Sequence, residues 1–153
     1  AMAHFKLAQP VYDSFAAIPL TQPLKASLAP KKKAMQLAIN TYNKVASIGV
    51  AEFTTAANYQ QALIYQKLAA DLMNSEKPKN MSDLELEQYT ILLEEQTEPF
   101  NQKAIDIYKA NANLVTQEVY DTFVQKSFAA LAELEPGRYN KNEQLEDAIN
   151  EIY

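Results

Sequence analysis

The sequence predicts an all-α fold of stacked antiparallel helical hairpins, and three observations lead there. Glycine is nearly absent, at two residues in 153, so the backbone is spared the entropy loss that glycine brings to a helix. Seven prolines punctuate long stretches rich in Ala, Leu, Gln and Lys, whose side chains keep most of their rotamers in a helix. One helical stretch also recurs: AINTYNKVA at Ala38–Ala46 returns as AIDIYKANA at Ala104–Ala112, at a shift of 66 residues.

The elements follow in order. Pro10 suits the first turn of a short helix that ends near Ala17. Pro19, Pro23 and Pro30 mark an extended connector, IPLTQPLKASLAP, because a residue before proline is pushed away from helical angles. From Lys31 to Ile48, Ala34, Ala38, Tyr42 and Val45 recur at helical spacing, and Gly49 is a C-terminal stop. A second helix covers Ala51 to Asn74, with Phe53, Ala57, Leu63, Tyr65, Leu68 and Leu72 inward. After the break NSEKPKN, Ser82 is an N-cap with Glu85 as its capping-box partner. The helix it opens runs to Asn113, and Pro99 is expected to kink or split it. A further helix spans Thr116 to Glu135 and stops at Pro136-Gly137. Leu145, Ala148, Ile149 and Ile152 allow a short terminal helix in the polar tail. The expected organisation is an N-terminal helix and connector over 1–30, a hairpin-repeat domain over 31–139 and a tail over 140–153.

The repeat extends to the partner helix, since YQKLAADL from Tyr65 resembles FAALAEL from Phe128 at a shift of 63. Two hairpins result, Lys31–Asn74 and Pro99–Glu135, separated by the helical stretch Ser82–Thr97. A lone hairpin cannot bury both of its apolar faces, so such units stack. Ala38, Ala46, Ala62, Ala69, Ala104 and Ala132 permit close helix approach, while Tyr42, Tyr65, Tyr108 and Phe128 fill the gaps. Tetratricopeptide-like packing fits this pattern; an irregular helical bundle with a fortuitous repeat is the competing reading.

Composition excludes several chemistries. With no cysteine there are no thiol nucleophiles, disulfides or Cys-based zinc sites, and Gly49 and Gly137 stand too far apart for a phosphate-cradling loop. A net charge of -5 gives no basic field for nucleic acid, and Lys31, Lys32 and Lys33 read as a solvated helix entrance. No apolar run approaches the roughly 18 residues of a membrane span, so no direct membrane insertion is expected. His4, the sole imidazole, lies in a stretch read as a ragged terminus or tag. Glu94, Glu95 and Glu98 form an acidic patch, with Lys103 placed to offset it. A di-metal carboxylate site needs two histidines, so the patch reads as a solvated face. No metal, cofactor or catalytic residue is expected.

Opposite the apolar face of the first repeated helix stand Gln36, Asn40, Asn43 and Ser47. The shift of 66 places Gln102, Asp106, Lys109 and Asn113 on the equivalent face of the second. In tetratricopeptide stacks the first helix of each pair lines the concave groove. These residues are therefore read as a polar ladder for an extended peptide, because amides both donate to and accept from a backbone. A plain solvated face is the alternative.

AEFTTAANYQQALIYQKLA (Ala51–Ala69), LELEQYTILLEEQTEPFNQKAIDIYKAN (Leu84–Asn111) and KSFAALAELEPGRY (Lys126–Tyr139) resemble the C-terminal region of large Gram-negative envelope proteins with tetratricopeptide repeats. Such proteins often accompany TonB/Tol-type or motility systems. The resemblance implies a periplasm-facing, non-enzymatic scaffold that binds other envelope proteins or peptides. An oligomerisation or capping module of a longer repeat protein is the second expectation, and a helical-bundle enzyme the third.

Overall fold

The computed structural model describes residues 2–114 and 122–135. Among them the chain forms five helices and no strand: α1 (Met2–Ala17), α2 (Leu24–Ser47), α3 (Ala51–Met73), α4 (Asp83–Asn113) and α5 (Thr122–Leu134). The protein is all-α. Each helix packs on the next, and α3 also touches α1 and α5, so α1, α3 and α5 lie side by side.

The prolines depart from expectation. α1 starts at Met2 and takes in Pro10, so His4 belongs to a helix; α2 starts at Leu24 and takes in Pro30; α4 continues unbroken through Pro99. An internal proline removes one hydrogen bond and costs a helix about 3 kcal/mol. Here each ring stands exposed, and the opposite face of the same helix is buried nearby at Phe15, at Met35 and at Leu93. The apolar side chains that each helix buries along that face, at about 1.5–3 kcal/mol for each large one, together offset the lost bond. The expected boundary at residue 31 therefore falls inside α2, and the segment before it belongs to the main core. The expected start of the last helix at Thr116 and the terminal helix around Leu145–Ile152 lie outside the described residues.

Two apolar clusters meet at α3. The first joins Ala8 and Phe15 of α1, Ala38 and Tyr42 of α2, and Ile64 and Leu68 of α3. The second joins Ala62 of α3, Ala104, Ile105 and Tyr108 of α4, and Leu131 of α5. The repeat is visible in burial as well as in letters. Ala38, Ile39 and Tyr42 are buried like Ala104, Ile105 and Tyr108, and Ile64 and Leu68 like Ser127 and Leu131. Leu63 and Tyr65, expected inward, are only half-buried, whereas Ile64 is fully enclosed.

The turns explain the reversals. Gly49 has φ +82°, a left-handed conformation that side chains resist, and the Thr54 hydroxyl donates to the Ala46 carbonyl across that turn at 3.1 Å. The Ser82 hydroxyl accepts from the Glu85 amide at 3.2 Å, capping α4 as expected.

Candidate interaction surfaces

The ladder residues keep matching positions on α2 and α4. Gln36, Asn40, Asn43, Gln102, Asp106 and Asn113 are exposed, and Lys109 is half-buried. On each helix the side chains close on their own neighbours. The Gln36 amide donates to Asn40 Oδ1 at 3.0 Å, and 66 residues on the Gln102 amide donates to Asp106 Oδ1 at 2.9 Å. Lys109 pairs with Glu135, just past the end of α5, at 3.9 Å. The chemistry repeats on the two helices. The helices ranged side by side are α1, α3 and α5.

The lysine cluster is not uniformly solvated. Lys31 is 1% exposed, its ammonium donating to the carbonyls of Phe15 at 3.2 Å and Ile18 at 2.7 Å, and pairing with Asp71 at 2.8 Å. It thus satisfies the carbonyls at the end of α1 and ties three helices together. The readable signal was spacing: Lys31, Met35, Ala38 and Tyr42 share one helical face. Lys32 stands over the Phe100 ring, 5.6 Å from its centroid. Lys103 stands over the Tyr65 ring at 5.3 Å, and Glu94, Glu95 and Glu98 are all exposed. No group of three potential metal ligands occurs among the described residues.

A different surface gathers unlike groups from three helices. A hollow of about 260 Å3 is lined by Tyr59, Leu63 and Gln66 of α3, Tyr108 of α4, and Lys126 and Glu133 of α5. Tyr59 packs between Tyr108 and Phe123, with ring centroids 5.8 and 5.9 Å away. The Lys126 ammonium lies 5.6 Å from the Tyr59 ring and 5.4 Å from Phe123, an attractive cation–π arrangement. Tyr108 Oη donates to Gln66 Oε1 at 2.9 Å. Burial pushes the Tyr108 and Tyr59 hydroxyls above their ordinary range, with Tyr59 and then Glu133 adding to the shift at Tyr108. Both therefore stay protonated at neutral pH.

The hollow thus has an aromatic floor with a cation and a carboxylate on its α5 side. From sequence Tyr108 reads as a core residue that fills a gap between helices, because no single-helix pattern distinguishes the floor of a hollow from core. No family model, no curated protein and no solved structure matches the chain.

Proposed function

We propose that this chain is a non-enzymatic protein-interaction module of tetratricopeptide-like hairpins, whose recognition surface is the row α1–α3–α5 rather than the ladder on α2 and α4. The observation that carries the reading is the hollow at Tyr59, Gln66, Lys126 and Glu133, which brings aromatic and charged groups from separate helices into one concavity. Such a site suits a peptide: an apolar side chain rests on the tyrosines, while polar groups fix its orientation. On the ladder, by contrast, the amides of Gln36 and Gln102 are engaged along their own helices. Envelope proteins are proposed as partners, and the periplasm as compartment, on the resemblance around Leu93–Phe100.

Capture from envelope extract tests this. Lys126→Glu is expected to remove the specific partner, whereas the combined alanine variant of Asn40, Asn43, Asp106 and Lys109 retains it. A partner list untouched by Lys126→Glu in a folded protein overturns the assignment. Loss only in the ladder variant returns the site to α2 and α4.

A further inference from the structure

The first half of α4 is among the barest helical stretches of the described residues. Between Asp83 and Glu98 only Leu93 and Thr97 are buried, while Leu84, Ile91 and Leu92 stand 64%, 48% and 56% exposed. Helical spacing puts Glu87 and Glu94 on the same stripe as Ile105 and Ala112. Further along, that stripe is buried in the cluster that α5 completes. So α4 has one flank, half covered and half open.

Among the described residues, the groove along this open half is lined by Asp83, Leu86, Glu87, Thr90, Ile91 and Glu94. Residues 83–98 contain six carboxylates and no lysine or arginine. The chain itself carries the opposite character elsewhere. Residues 2–47 hold six lysines, all but Lys31 exposed, against the single carboxylate of Asp13. Between α1 and α2 lies a second, mainly apolar groove lined by Pro10, Val11, Ser14, Ala34 and Leu37. Leu37 is 59% exposed, and Lys33, one turn before it, is exposed as well.

We propose that the α1–α2 edge of one copy docks into the α4 groove of another. Lys33 and Leu37 are separated by one helical turn, and so are Glu87 and Ile91. Seating Leu37 against Ile91 therefore brings Lys33 to Glu87 or Glu94 without a change of register. Both apolar surfaces leave water, and opposite charges line the rim, which sets orientation and speeds encounter. The two surfaces differ, so the contact is head-to-tail and propagates as an open chain or closes as a ring. It shares α1 with the proposed recognition row but uses none of the residues of the Tyr59 hollow or of the ladder, so the loss of self-association and the loss of partner capture in Lys126→Glu are read separately.

Sedimentation velocity on the full chain tests the contact. Mass is expected to rise with concentration at low salt and to fall back at high salt. Leu37→Glu and Ile91→Glu, both at exposed positions and checked for helicity by circular dichroism, are each expected to be monomeric. Mixed, they still offer one intact edge and one intact groove, so a species of twice the monomer mass is expected. A wild-type monomer across the whole series overturns the proposal and leaves the groove to a basic helix of some other protein. Self-association lost in Ile91→Glu but kept in Leu37→Glu also overturns it, because the contact is then α4 on α4.

Discussion

Lys31 places a cation in a nearly dry site, where two carbonyls and a carboxylate receive it. Removing one member of such a set strands the others, which is worth more than the attraction itself. Lys31→Met is therefore expected to lower stability by about 3 kcal/mol. Urea unfolding should show a lower midpoint with an unchanged slope. Tyr42 makes the opposite case. Its hydroxyl is buried with no hydrogen-bond partner, and burial, helped by Asp13 and then Tyr12, pushes it from 10.0 to about 12. Tyr42→Phe is expected to leave neutral-pH stability unchanged or raise it, whereas Tyr108→Phe, which abandons the bond to Gln66, should lose about 1 kcal/mol. Between pH 10 and pH 12 the unfolded chain has released the Tyr42 proton while the folded chain still holds it. Stability then falls as pH rises, by up to about 1.4 kcal/mol per unit from this group. Unfolding midpoints followed from pH 9 upward should decline less steeply in Tyr42→Phe.

The helices divide into those whose limits local chemistry announces and those whose limits packing decides. Gly49 and Ser82 belong to the first kind, because a positive φ and a hydroxyl cap act within a single turn. Ser82→Ala is expected to cost about 1 kcal/mol, and Ser82→Asp to recover it. Hydrogen exchange should localise the loss to amides near residues 85–92, since only Leu93 and Thr97 anchor that half of α4. Pro10, Pro30 and Pro99 belong to the second kind. Each is a break by local rules, and each is overridden by buried neighbours that come from other helices, a contribution no window of sequence contains. Lys31 reads as a solvated lysine for the same reason: its partners, Phe15, Ile18 and Asp71, are up to 40 residues away along the chain. The ladder was legible as an exposed face, but which helices align side by side depends on how hairpins stack. The Tyr59 hollow, assembled from three helices, left no mark in any one of them.

At the scale of the molecule the repeat has a physical counterpart, since equivalent letters in α2 and α4 occupy equivalent buried positions. Repeat arrays often lose cooperativity because each unit contacts only its neighbours. Here α3 contributes Ala57, Ile64 and Leu68 to one cluster and Ala62 to the other, with Tyr65 packed against both. Urea unfolding is therefore expected to be a single transition, coincident by tyrosine fluorescence and by far-ultraviolet circular dichroism. Two separated transitions count against a shared wall. The same sharing governs what happens if the backbone is severed in the loop between α3 and α4. The leading piece keeps a nearly whole interior and presents a bare flank of α3. The trailing piece is left with apolar side chains and nothing to rest them on. Neither fragment is a finished object, but each is the other's missing half, so two inert polypeptides would reconstitute one working body only when brought together.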